Sequence, residues 1–173
     1  HFHLSLQSGC DSVLKRMNRR YTCGEYYEKV EILRKYFENV AITTDIITGF
    51  PGETEEEFAR TVDFAKKVNF YETHIFKYSR RNGTVAASME GQIDDSIKEL
   101  RSNELLAMSK AHKEAFEESF SGENVDILVE EWEEEEGKFY VKGHTERYIL
   151  VKYPMEKAEC MESVNKIITL KMA

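Results

Sequence analysis

Asp45-Ile46-Ile47-Thr48-Gly49-Phe50-Pro51-Gly52-Glu53-Thr54 decides the fold of this 173-residue chain. An apolar, β-branched run stops at a Gly/Pro/Gly turn, and the turn leads straight into a helix start. Thr54 is the cap, and Glu57, three residues on, is its reciprocal partner. A strand–turn–helix joint of this kind lies at the carboxyl end of a strand, where α/β enzymes place their ligands. The shape alone does not name the ligand.

Outward from that joint the pattern repeats. Ala41–Gly49 reads as a strand. The helix after Thr54 carries Glu55, Glu56 and Glu57 at its positive end and Phe58, Val62, Phe64, Ala65 and Val68 on its apolar face. Tyr71–Tyr78 is a further strand. Upstream, His1–Leu6 alternates, with His1, His3, Ser5 and Gln7 on one side and Phe2, Leu4 and Leu6 on the other. A turn at Ser8–Asp11 leads to a short helix ending near Met17. Thr22 and Glu25 have capping-box spacing before a helix whose stripe is Tyr26, Val30, Leu33 and Phe37. Strand, helix, strand, helix, strand predicts a parallel α/β arrangement. Three strands leave an open edge, so the piece reads as part of a barrel or larger sheet, and self-association through that edge is expected.

Downstream, Asp94–Phe120 predicts a long helix closed by Gly122. Beyond it Val125–Val129, Phe139–Gly143, Tyr148–Tyr153 and Val164–Met172 are short β-type runs. They predict a small antiparallel barrel as a second domain, residues 122–173 after a first domain of 1–121. Glu133 to Glu136 reads as a solvated hairpin tip.

Composition excludes several classes. Hydrophobic residues make up 41% and charged residues 32%, as in soluble globular proteins. No apolar run approaches the roughly 20 residues a membrane span needs. A net charge of −8 argues against broad nonspecific nucleic-acid binding. Cys10, Cys23 and Cys160 are odd in number and widely spaced. They form no CxxC pattern, supply no metal or cluster site by themselves, and fit a reducing cytoplasm. The chain opens on His1-Phe2-His3, in what reads as the middle of a strand, and is expected to be a portion of a longer protein.

Four segments appear in order: His1-Phe2-His3-Leu4-Ser5-Leu6-Gln7-Ser8-Gly9-Cys10-Asp11, Leu14-Lys15-Arg16-Met17-Asn18-Arg19-Arg20-Tyr21-Thr22, Thr44 through Thr54, and Phe76-Lys77-Tyr78-Ser79-Arg80-Arg81-Asn82-Gly83-Thr84. Together they closely resemble the radical S-adenosylmethionine methylthiotransferases, over residues 1–120. The trailing small barrel resembles the RNA-binding TRAM domain of those enzymes. The resemblance implies the second half of a radical-SAM-type partial (β/α) barrel, S-adenosylmethionine as cofactor, and two 4Fe-4S clusters whose cysteine ligands lie outside this chain. It also implies a cytoplasmic enzyme whose partner is the tRNA anticodon stem-loop. His-Phe-His-Leu-Ser-Leu-Gln is most similar to the enzymes that place a methylthio group on C2 of N6-threonylcarbamoyladenosine. The chain alone is expected to be inactive.

By that resemblance Gly49, Phe50, Pro51 and Gly52 lie against the cofactor's adenine, and Asp45 faces the barrel lumen and helps hold the cofactor or order its neighbours. Gln7 and Ser8 hydrogen-bond ribose hydroxyls, and Tyr78, Ser79 and Arg81 approach the cofactor or the adenosine. Each has a plainer reading: a capped turn, a carboxylate near an open strand end, turn backbone. Arg80 departs from the family, where proline is usual, and otherwise reads as a solvated surface residue. Lys138, Tyr140, Lys142, Arg147 and Lys152 interleave bases with aromatics in the manner of an RNA-gripping surface; the same residues also suit a core with a charged rim. Two rival readings stand beside the enzyme: a non-catalytic RNA-binding or self-associating module, and a barrel metallohydrolase using the His1/His3 pair. The second lacks further ligands at matching strand ends, with His74 alone, so no metal site is expected.

Overall fold

The structure, a computed structural model, describes residues 1–172. Its contacts divide into two compact units, Phe2–Glu114, and the chain from Ala115 onward with His1.

The first unit runs β1 (Phe2–His3), α1 (Asp11–Arg16), α2 (Cys23–Tyr36), β2 (Ile42–Thr48), α3 (Glu55–Val68), β3 (Glu72–Lys77), α4 (Val85–Ser88) and α5 (Asp95–Glu118). The strands form one parallel sheet in the order β1-β2-β3. Ile42 and Ile46 of β2 bury against Tyr26 and Val30 of α2, Phe58, Val62, Ala65 and Val68 of α3, and Leu105 of α5. Their spacing by four in the strand and by three and four in the helices is what lets one face meet the other. Both capping boxes form, Thr22 with Glu25 and Thr54 with Glu57. Phe37 falls outside the expected stripe: it is the C-cap of α2, and half of its surface is exposed.

The first strand is shorter than the expected His1–Leu6; Leu4 and Gln7 N–H groups still donate to the Thr43 and Asp45 carbonyls, and side chains complete the ladder between them. The Thr44 hydroxyl donates to the Leu4 carbonyl at 2.6 Å and accepts the Leu6 N–H at 3.0 Å. Tyr26 and Tyr21 hydroxyls cover the carbonyls of Leu4 and Leu6 at 2.7 and 2.9 Å. Gln7 rejoins the sheet through an isolated bridge to Ile46, with φ 72°. That kink ends the alternation, so Gln7 is buried instead of continuing the row of His3 and Ser5.

Glu57 does more than cap α3. Both of its carboxylate oxygens accept from the Arg16 guanidinium, whose Nη2 also reaches the Gly52 carbonyl at 3.2 Å. The hydrogen bonds from Arg16 outweigh desolvation and lower the carboxyl to about 2. A depressed carboxylate stabilises the fold above its unfolded value of about 4.5 and loses that contribution as pH falls through the folded one. Acid titration followed by circular dichroism should therefore show about 1–2 kcal/mol lost between these values, a figure reduced for the part-exposed guanidinium. Glu57→Gln should remove that pH dependence.

The second unit contains β4 (Asn124–Glu135), β5 (Lys138–Thr145), β6 (Leu150–Pro154), α6 (Lys157–Ser163) and β7 (Ile167–Lys171), with an antiparallel sheet ordered β6-β5-β4-β7. The β4–β5 hairpin closes at Glu136-Gly137, both with positive φ, the backbone of a tight two-residue turn. Only Glu136 of the glutamate run sits at the tip. Glu133 to Glu135 extend β4 by pairing with Tyr140, Phe139 and Lys138. Helix α6 is absent from the sequence reading; it buries Cys160. Among the described residues β6 and β7 share no ladder, so the expected small barrel is an open four-stranded sheet.

Candidate functional site

Because β1, β2 and β3 run parallel, their carboxyl ends bring Gln7–Ser8, Thr48–Gly52 and Tyr78–Arg81 to one edge of the sheet. Backbone bonds tie that edge together: Ile47 N–H to the Gln7 carbonyl at 2.9 Å, and Tyr78 N–H to the Thr48 carbonyl at 2.8 Å. Gly49 N–H donates to Glu53 Oε2 at 2.7 Å. Arg101, from α5, donates to the same oxygen at 2.8 Å and to the Glu53 carbonyl at 3.1 Å. Burial pushes the Glu53 carboxyl above its ordinary range, against the Gly49 N–H and Arg101, which pull it down. Lys98 lies across the turn; a Cβ on Gly49 would stand 2.3 Å from Lys98 Cγ. The Gly52 N–H is held by the Gly91 carbonyl at 2.8 Å.

The residues expected to touch cofactor divide. Phe50 is buried with Cys10 and Val13 and meets the Tyr78 ring at 5.4 Å, so it serves as core. Ser8 is fully buried, with its hydroxyl bonded to Thr61 at 3.1 Å and accepting the Cys10 N–H at 3.3 Å. Gln7 is buried, on a left-handed backbone that costs a non-glycine residue about 1–2 kcal/mol. The Tyr78 hydroxyl is buried without a hydrogen-bond partner among the described residues. Ser79 and Arg81 are exposed. Arg80 is not simply solvated: its Nε donates to the Ala87 carbonyl at 2.7 Å and holds α4.

The sheet face opposite the core carries Asp45, Ile47, His74 and Phe76, since Asp45 is paired with His74 and Ile47 with Phe76. Asp45 is the centre of a cluster. Ser5 donates to its Oδ2 at 2.9 Å, His3 Nε2 stands 3.2 Å from the same oxygen, and His74 Nδ1 stands 3.3 Å from Oδ1. Desolvation pushes the Asp45 carboxyl up, but the hydrogen bonds of Ser5, His3 and His74 prevail and hold it below the ordinary range. His74, expected to stand alone, is thus brought to His3 by strand register, while His1 takes no part in this cluster.

On the antiparallel sheet the nominated lysines are already engaged. Lys142 pairs with Glu133, and Lys152 pairs with Glu133 at 2.8 Å and with Glu135. Lys152 also lies 4.4 Å from the Tyr140 ring centroid. Arg147 pairs with Glu146 at 2.6 Å. Lys138, beside the hairpin tip, has no ion pair among the described residues. The run of glutamates thus serves as counter-charge to the lysines that the sequence suggests for RNA.

The thiols do not form a cluster site. Cys10, Cys23 and Cys160 are free, and no cysteine belongs to a group of potential metal ligands among the described residues. Burial pushes Cys23 up to about 12, with Asp11 adding to it, and burial raises Cys160. These residues do not fit an iron–sulfur cluster.

Among the described residues no helix is long and apolar enough to cross a membrane. The model of the Radical SAM superfamily matches residues 1–65. The chain is 38% identical over 174 residues to threonylcarbamoyladenosine tRNA methylthiotransferase MtaB of Bacillus subtilis, covering 99% of this chain and 38% of that protein. It is 44% identical over 132 residues to a tRNA-2-methylthio-N(6)-dimethylallyladenosine synthase of Thermoanaerobacter sp. (strain X514), covering 75% of this chain and 28% of that protein. A synthase of the same description from Lachnoclostridium phytofermentans is 35% identical over 173 residues, covering 100% of this chain and 37% of the relative. The chain therefore spans less than two-fifths of the length of these relatives.

Proposed function

Because the chain belongs to the radical S-adenosylmethionine methylthiotransferase family, we propose that it supplies the cofactor-facing wall and the RNA-gripping part of a cytoplasmic tRNA-modifying enzyme. One observation carries this reading: three parallel strand ends converge at one edge, where Gln7 rejoins the sheet and the buried Tyr78 hydroxyl has no partner among the described residues. Buried polar groups without partners are uncommon and call for a ligand or a water. In this reading Gln7 and the Tyr78 hydroxyl hydrogen-bond S-adenosylmethionine. The missing Cβ of Gly49 makes room for Lys98 across the turn, Gly52 leaves its end of the turn open for close approach, and Arg81 offers a guanidinium fork to the cofactor's carboxylate. Pro51, Phe50 and Ser8 shape the wall from within, and Ser79 borders it. Asp45 orders its neighbours on the lumen face. When bound, the cofactor supplies the adenosyl radical and the methyl group. Iron–sulfur ligands must come from outside these residues, and the 173 residues by themselves do not turn over.

In the second unit, a TRAM-like domain in this reading, Lys138 and Tyr140 offer a charge and a stacking ring to the anticodon stem-loop. Lys142, Arg147 and Lys152 join them when phosphate displaces their glutamates. The proposed substrate is N6-threonylcarbamoyladenosine, modified at C2, supported by His-Phe-His-Leu-Ser-Leu-Gln and by the name of the B. subtilis relative. Self-association through the free edge of β3 accompanies the reading of this chain as part of a larger barrel.

A chimera tests it. Residues 1–173 would replace the matching region of the B. subtilis relative, and bulk tRNA would be digested and analysed by mass spectrometry in cells lacking the native enzyme. The expected product is the 2-methylthio derivative of N6-threonylcarbamoyladenosine, reduced at least tenfold by Gln7→Ala. A folded, cluster-loaded chimera that modifies only dimethylallyladenosine would overturn the substrate. One that modifies neither would overturn the function.

A further inference from the structure

We propose that His3, Asp45 and His74 form a binding site for one divalent transition-metal ion of the zinc class, on the sheet face opposite the core. Three strands each contribute to one point: His3 from β1, Asp45 from β2, and His74 from β3 directly opposite Asp45. One donor atom from each lies within 4.8 Å of the others. An ion about 2.0–2.2 Å from each of two ligands in tetrahedral geometry holds them about 3.4 Å apart. His3 Nε2 is 3.2 Å from Asp45 Oδ2, and His74 Nδ1 is 3.3 Å from Asp45 Oδ1. Each imidazole thus stands at about the edge length of a coordination tetrahedron from a carboxylate oxygen, and one donor atom from each residue already lies within 4.8 Å of the others, so side-chain rotation without strand movement can close the set on an ion.

The surroundings suit a metal ligand set. Thr43 Oγ1 stands 2.9 Å from His3 Nδ1, so that nitrogen can donate its proton there and leave the Nε2 lone pair for an ion. The Ser5 hydroxyl orients the Asp45 carboxylate from the same side. No lysine or arginine pairs with Asp45 among the described residues; its side-chain partners there are Ser5 and the two imidazoles. Two imidazoles and one carboxylate select zinc, cobalt, nickel or ferrous iron over magnesium or calcium, which prefer all-oxygen sets. The side chains of His3 and His74 are 38% and 50% exposed, which gives an ion a path in. Three protein ligands leave a position open for water or an added ligand.

This site lies below the strand-end edge assigned to the cofactor and shares with that reading only Asp45, none of Gln7, Gly49 or Tyr78, so loss of metal binding by His74→Gln and loss of product by Gln7→Ala fail separately. The test uses the chain stripped with chelator, titrated with zinc by calorimetry and with cobalt by visible absorption. One ion per chain is expected, with a cobalt spectrum of low coordination number. Asp45→Asn and His74→Gln should each weaken binding at least 100-fold. Thr43→Val should weaken it about 10–100-fold, as losses of groups that orient a metal-bound imidazole do. His1→Ala should leave it unchanged. Because a variant can fail to fold, thermal melts accompany the titrations. Zinc should raise the Tm of the wild type and of His1→Ala, but not that of Asp45→Asn or His74→Gln variants whose metal-free melts match the wild type. Absence of stoichiometric binding, full binding by folded Asp45→Asn and His74→Gln variants, or loss of binding on His1→Ala would each overturn the site.

Discussion

Arg101→Met is expected to cost the first unit about 3–5 kcal/mol, the usual penalty for stranding a buried charge. The Glu53 side chain is 1% exposed and that of Arg101 7%. Without the guanidinium, Glu53 keeps only the Gly49 N–H for its Oε2, and its backbone carbonyl loses a donor as well. The substitution is close in length and apolar, so packing against Phe58, whose ring centroid lies 5.2 Å from the guanidinium carbon, changes little. The sign of the pH dependence follows from Glu53. Its carboxyl is already raised by burial, so its contribution to stability is fully present below the unfolded value and is lost as pH rises through the folded one. Removing Arg101 raises it further, so the deficit should be largest near neutrality and shrink on acidification. Urea titrations across that range measure it. Glu53→Gln/Arg101→Met should recover most of the loss, because both halves of the pair are then neutral. In the proposed reading of the strand-end edge, cofactor affinity should fall along with stability, since Glu53 holds the Gly49 turn. A loss under 1 kcal/mol at neutral pH would show that the turn is held by other contacts.

How much of this was legible depends on whether the information was local. Thr54 and Glu57 sit three residues apart, so the capping box can be read directly; so can Thr22 and Glu25. The parallel order of the three strands follows from helices between them. Arg101 could not be assigned to Glu53, 48 residues away, because nothing in the α5 segment distinguishes it from other basic residues on a charged helix. The meeting of His74 with His3 depends on a register across two strand pairings, which alternation does not specify. The kink at Gln7 goes with Thr44 and Tyr26, residues of other elements whose hydroxyls satisfy the Leu4 carbonyl and, from Thr44, the Leu6 N–H. Cross-strand charge explains the glutamates: a run of like charge reads as a solvated tip until Lys142 and Lys152 are seen opposite it. Helix α6 was missed because its seven residues carry too little periodicity to register against their charged flanks.

Gly143→Ala is expected to have the other large effect, about 4 kcal/mol or more, at the upper end for a single substitution. Gly143 faces Val129 across the β4–β5 ladder, next to the register shift between Val129 and Glu131. A Cβ there would stand 2.0 Å from the Leu128 carbonyl oxygen, 2.8 Å from its carbon and 2.9 Å from Val129 Cα. All three are backbone atoms, so no side-chain rotation relieves the overlap; the two strands must separate. Separation would expose Ile127, Val129 and Val141, all fully buried, and would break the lysine–glutamate pairs that the hairpin aligns. Hydrogen exchange should report it as lost protection of β4 and β5 amides, while those of β2 and α3 stay protected. If the second unit grips RNA as proposed, binding of an anticodon stem-loop, measured by mobility shift at low salt, should fall at least tenfold with it. Gly137→Ala is the control. That glycine has open space around it and only its positive φ to defend, so about 1 kcal/mol is expected and the sheet should remain. Equal losses at the two positions would mean that backbone conformation, and not the overlap at Gly143, governs the hairpin.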